Sequence, residues 1–269
     1  MQGINSALED FQRMFRDDLL NSITNNKSKY RAVVAGGYGL KTLLETKYDT
    51  YNKIKTGDLD ITITSFPSRR DLKKTYKYFV EKVMRFVHSQ ARPTNFQVKL
   101  IDQANEYVPI FDYHKYAVIL ITYKGNEFVD IAFTDLKISL DMIDIPSSLK
   151  AGIPLKTLDS YLYDLLTLIY LANVSNVYPY IYKKRNPVSG DNFEKGIKDI
   201  DRTSIVCDMN KSTKYVQYCG LINRTSVEDL NKMTSEERDN FFKKLSSLNR
   251  YRDKVSIKLL KHSNITKFV

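Results

Sequence analysis

Between residues 32 and 63 the hydrophobic period of the chain changes twice. Ala32-Val33-Val34-Ala35 is a short apolar run that ends in Gly36-Gly37-Tyr38-Gly39. Leu40 to Thr46 then has helical spacing, and Asp58-Leu59-Asp60-Ile61-Thr62-Ile63 alternates with period two. A strand entering glycines, leaving as a helix and returning as a half-buried strand commits the chain to a sheet with helices packed on it. Asp58 and Asp60 lie two apart on that returning strand, so both carboxylates belong to one face.

The rest of the first half repeats this alternation. Leu8, Phe11, Phe15, Leu19 and Ile23 recur at helical spacing behind a Ser6-x-x-Glu9 capping box. Ser68-x-x-Asp71 opens a second amphipathic helix through Tyr76, Phe79, Val83 and Phe86. Strands are expected at 96–101, 116–123 and 128–133, the last two joined by a turn at Lys124-Gly125-Asn126. After Pro146 the strand pattern fades. Leu158, Tyr161, Leu162, Leu165, Leu168, Ile169 and Ala172 mark a strong helix, and Thr234-x-x-Glu237 caps a later one. The expected organisation is a mixed-sheet α/β (α+β) domain over 1–145 and an all-helical domain over 146–269, with 183–196 as a loop.

The acids carry the chemistry. Two like charges on one strand face repel unless a cation lies between them, and a carboxylate-only cluster suits a hard ion such as Mg²⁺ or Mn²⁺. Asp130 sits within Phe128-Val129-Asp130-Ile131-Ala132-Phe133, where an ionised group needs a partner. If its strand neighbours that of Asp58 and Asp60, three carboxylates converge on a two-metal site. Taken alone, Asp-x-Asp describes a turn or an exposed acidic strand. The glycine turn, equally ordinary alone, changes this. Gly36 and Gly37 let backbone N–H groups approach phosphate oxygens at a helix N-terminus. The spacing matches neither a Walker A loop nor a dinucleotide fingerprint.

This order of strand, Gly-Gly, helix, acid–apolar–acid strand and later strand acid resembles the nucleotidyltransferase superfamily of DNA polymerase β. It covers roughly residues 30–135 by motif, and the helical, basic second half is similar to the domain that follows this core in poly(A) polymerases, those of large DNA viruses included. The resemblance implies that Gly36 and Gly37 hold a nucleoside triphosphate. It implies that Asp58 and Asp60 bind both metals, and that Asp130 binds one and helps deprotonate the attacking hydroxyl. Lys198, in Lys195-Gly196-Ile197-Lys198-Asp199-Ile200-Asp201-Arg202, resembles a helix lysine near the triphosphate, with a solvated helix lysine as the alternative. Tyr38 stands either near the triphosphate or in packing. The expected activity is template-independent transfer of a nucleoside monophosphate, AMP from ATP, to an RNA 3′ end, with the site in a cleft between the domains. A homodimer or a processivity subunit is an expected partner. A small-molecule, protein or tRNA acceptor, or a catalytically silent scaffold subunit, are the alternatives.

Charge bears on the acceptor. The chain carries 42 Lys plus Arg against 31 Asp plus Glu, and the surplus concentrates after residue 145. A positive half fits a surface that tracks a polyanion. Codon usage from an AT-rich genome also enriches lysine, which outnumbers arginine 29 to 13 here. No run is long and apolar enough for a membrane span, and Met1-Gln2-Gly3-Ile4-Asn5 lacks the pattern of a signal peptide. Cys207 and Cys219 have no CxxC spacing and no nearby histidine, which argues against a disulfide framework and a zinc site. The expectation is a protein of a reducing compartment, a host cytoplasm or virion if viral. His88, His114 and His262 are too scattered to suggest a site, and three Asn-x-Ser/Thr matches are read as chance.

Overall fold

The computed structural model describes residues 2–25, 28–47, 58–104, 106–108, 113–136, 138, 142–144, 153–162, 164–165 and 202–209, with shorter stretches between 219 and 240. The chain divides into two compact units. One comprises Met1–Tyr107 and Tyr113–Thr157, the other Val108–Asp112 and Leu158–Val269.

The first unit is a mixed α/β structure. Helix α1 (Gln2–Thr24) leads into β1 (Arg31–Ala35), and α2 (Gly36–Lys47) follows at once. Strand β2 (Leu59–Thr64), helix α3 (Arg69–Ser89) and a short 3₁₀ turn at Pro93–Asn95 come next. The remaining strands are β3 (Phe96–Ile101), β4 (Glu106–Val108), β5 (Tyr113–Tyr123), β6 (Asn126–Thr134), β7 (Ile143–Asp144) and β8 (Leu155–Lys156). They form one eight-stranded sheet in the order β3-β5-β6-β2-β1-β8-β7, with β4 added beside β5. β2–β6 and β1–β8 are parallel pairs, while β1–β2, β3–β5, β5–β6 and β7–β8 are antiparallel.

Local chemistry sets several boundaries. Ser68 caps α3, its hydroxyl accepting from the Asp71 backbone N–H at 3.2 Å. The β5–β6 hairpin turns through Lys124 and Gly125, both with positive φ (51° and 80°), which matches the right-handed twist of the strands it joins. α1 starts at Gln2, so the Ser6-x-x-Glu9 pair falls inside the helix instead of capping it.

One face of the sheet is packed by α1 and α3 through an aromatic layer. Phe11, Phe15, Phe79 and Phe133 are fully buried. Phe79 meets Phe15 and Phe133 at centroid distances of 5.4 and 5.9 Å, and Phe86 meets Phe11 and Phe96 at 5.1 and 5.7 Å. Leu59, Ile61 and Ile63 of β2 and Val129, Ile131 and Phe133 of β6 belong to this buried face. Asp60, Thr62, Asp130 and Ala132 therefore lie on the other face, where all four are only half-buried.

The sheet runs past Pro146. β8 pairs with β1 at Val34 and Leu155, and the Val34 N–H also donates to Pro154 O at 2.8 Å. Two-residue strands such as β7 and β8 carry too little alternation to be seen in sequence. In the second unit, residues 158–162, 164–165 and 202–209 are helical. Thr234 and Glu237 form the expected capping box, with Thr234 N–H donating to Glu237 Oε2 at 2.7 Å and Glu237 N–H to Thr234 Oγ1 at 3.3 Å. The helix expected through Leu168, Ile169 and Ala172 and the loop at 183–196 lie outside the described residues.

The two cysteines require a correction. Cys207 and Cys219 form a disulfide, with Cα atoms 5.3 Å apart. Spacing of 12 along the chain carries no sign of this, because what matters is how the chain beyond residue 209 returns, and no local pattern encodes that. The inference to a reducing compartment loses its basis.

Candidate active site

The glycine turn and the acids meet at one end of β1. Ala35, the last residue of β1, is in register with Asp60 on β2. Gly36 follows with φ +63°, a left-handed conformation that side chains rarely adopt. A Cβ built there would overlap Asp60 Oδ2 and Cγ and lie 3.1 Å from its Cβ. Gly36 is thus doubly required, by its backbone angle and by the carboxylate packed against its Cα. α2 has no acidic residue of its own in its first turn, so Asp60 is the acid that lies at the positive end of its dipole.

Asp130 is brought in by β6. Parallel pairing sets Asp60 directly opposite Asp130, flanked by Leu59–Val129 and Ile61–Ile131. Adjacent strands lie about 4.8 Å apart, so the two acids are immediate neighbours on the less buried face. Asp58 stands just before β2 and is half-buried. Burial, followed by the negative charges of Asp58 and Asp130, pushes the Asp60 carboxyl up to about 7. Glu127 adds to this rise and Lys115 opposes it.

Glu127 was not legible in the sequence as part of this group. It lies three residues from Asp130, which in a regular strand puts it on the opposite face. The β5–β6 ladder shifts register there: Ile121 pairs with Val129, but Thr122 pairs with Glu127. Phe128 is the extra residue of this bulge, and like Val129 it is buried. Its ring lies 5.6 Å from that of Phe96 and 6.3 Å from that of Phe86. Phe128 and Val129 both turn toward the helices, so Glu127 emerges on the side of Asp130.

Gly37 continues the first turn of α2 and is half-buried. The Tyr38 hydroxyl accepts a hydrogen bond from Gln12 Nε2 at 2.5 Å, which ties the start of α2 to α1. Lys198 lies outside the described residues. Among the described residues, no three Asp, Glu, His or Cys side chains form a ready-made metal cage. The donor set still suits a hard cation: carboxylates only, set on adjacent strands, with mutual repulsion felt at Asp60.

At the far end of β6, Asp135 accepts hydrogen bonds from the His114 N–H at 2.5 Å and the Tyr116 hydroxyl at 2.9 Å. This group is five residues beyond Asp130 and pins the strand ends together, so His114 is structural.

No family model and no curated protein matches the chain. Among solved structures, the chain is similar to the Megavirus polyadenylate synthase, with a TM-score of 0.48 and 10% identity over 91% of this chain. It spans 49% of the length of that protein. At that score and identity the likeness adds no weight to any residue's role. Among the described residues no helix is long and apolar enough to cross a membrane.

Proposed function

We propose that this chain is a template-independent nucleotidyltransferase that moves a nucleoside monophosphate, AMP from ATP, onto an RNA 3′ end. One observation carries the reading: the start of a helix, entered through Gly36, is packed against Asp60, and Asp60 is paired in register with Asp130. An anion-attracting helix start beside adjoining carboxylates is what a triphosphate held through a divalent ion requires.

In this reading the backbone N–H groups at Gly36, Gly37 and the first turn of α2 bind the triphosphate. Asp58, Asp60 and Asp130 would hold Mg²⁺ or Mn²⁺, which when bound neutralises the charge on the phosphates and lowers the pKa of the attacking hydroxyl. Asp130 accepts the proton of the RNA 3′-hydroxyl. The hydroxyl oxygen forms a bond to the α-phosphorus as the bond to pyrophosphate breaks. Lys198 is a candidate triphosphate contact, and the basic second half supports an RNA acceptor over a small one.

The test is incubation of the purified protein with Mg²⁺ or Mn²⁺, each of the four nucleoside triphosphates in turn, and a 5′-labelled RNA primer. Extension by single nucleotides, with ATP preferred, is expected. No extension with any triphosphate rejects the RNA acceptor. Labelling of a protein, tRNA or small molecule instead would move the assignment to that acceptor.

A further inference from the structure

The partly exposed face of the sheet carries a straight row of residues beyond the acids. Cross-strand register runs from Ala35 on β1 to Asp60 on β2, Asp130 on β6, Leu120 on β5 and Lys99 on β3. Directly paired residues on adjacent strands share a face. All five therefore lie on the side opposite the aromatic layer. Lys99 is exposed and Leu120 half-buried. With about 4.8 Å between strands, Lys99 stands roughly 10 Å from Asp130 at the backbone. A neighbouring row holds Gln97, Thr122 and Glu127.

We infer that Lys99 binds a phosphate near the 3′ end of the acceptor RNA, and that the acceptor crosses the sheet from β3 over Leu120 to the acids. This rests on the nucleotidyltransferase reading of the site. The triphosphate side of the row is occupied by Gly36 and the start of α2, so the acceptor must approach from the other side. There Asp60, Asp130 and Glu127 present negative charge, opposed at Asp60 by Lys115, and that acidic cluster repels a polyanion. Lys99 is the cation of the row, set two strands beyond Asp130 on the edge strand β3. Leu120 between them offers an uncharged surface for the terminal sugar or base, which has to reach Asp130 without its own phosphate meeting the acids.

The experiment uses the full chain, saturating ATP and a labelled oligoadenylate primer of varied concentration, with RNA affinity measured separately across salt concentration. Lys99→Gln should raise the KM for primer at least fivefold and leave the KM for ATP within twofold. It should also make the log–log salt slope of RNA binding shallower by about 0.7, the value for one phosphate contact. Lys99→Arg should keep wild-type behaviour. Lys124→Gln, at the exposed hairpin tip, is the control for a general loss of surface charge. If the wild type extends RNA and Lys99→Gln changes neither primer KM nor slope, the path over β3 is wrong and the function stands. Equal losses in Lys99→Gln and Lys124→Gln would also overturn the path, since diffuse charge would then explain binding. A wild type that extends no RNA removes both.

Discussion

Asp60 is the residue on which the proposed chemistry can be checked before any reaction is run. Its carboxyl titrates near 7, against 3.8 ordinarily, so the folded protein holds a proton that the unfolded chain releases. That contribution to stability is fully present below about pH 4 and is lost as pH rises through 7. Thermal melts without metal should therefore fall between pH 5 and pH 8. Asp60→Asn should flatten that fall and melt several degrees above wild type at pH 8. Mg²⁺ should raise the wild-type melt at pH 8 and leave the Asn variant unchanged. A fall with pH that is equal in both proteins would remove Asp60 as its source. In steady-state assays, Asp58→Asn, Asp60→Asn and Asp130→Asn should each lower kcat at least a hundredfold, and near-normal turnover would take that residue out of the site. Gly36→Ala combines a positive φ with overlap on Asp60, so a loss of about 2 kcal/mol or more in chemical denaturation is expected, together with weaker ATP binding.

At the scale of elements, α3 offers the simplest measurement. Ser68→Ala removes the side chain that accepts from Asp71 N–H and should cost about 1 kcal/mol in urea unfolding. An unchanged midpoint would mean that packing of Phe79 and Phe86 alone holds the helix end. This cap was readable in the sequence, as were β1, the helix after the glycines and the Asp58–Ile63 strand, because each is written in neighbouring residues. The contribution of Gly36 was readable only in part: the turn invites a phosphate, but its contact with Asp60 depends on β1–β2 register. Glu127 was hidden by the bulge at Phe128, since alternation predicts the wrong face for it. β7 and β8 were hidden by their two-residue length. Lys99 looked like any polar residue on an edge strand until two ladders aligned it with Asp130.

For the molecule as a whole, the Cys207–Cys219 disulfide closes a loop within the second unit. Closing a loop of that length contributes about 3 kcal/mol in the chain-entropy view. Reduction should lower the unfolding temperature by several degrees, and Cys207→Ser should do the same without reductant. Identical melts in oxidising and reducing buffer would show that the bond is absent in solution. The parallel pairing of β2 with β6 has a consequence of a different kind, one of timing. Asp60 and Asp130 become neighbours only when strands separated by α3, β3, β4 and β5 have closed on each other. Such long-range pairings form slowly, because chain entropy must be lost before any contact compensates for it. A chain emerging from the ribosome already carries Gly36 and Asp60, yet Asp60 has no Asp130 beside it until β6 has followed. Any truncation before Phe133 would leave β2 without part of its partner strand, an open parallel edge inviting association with other chains.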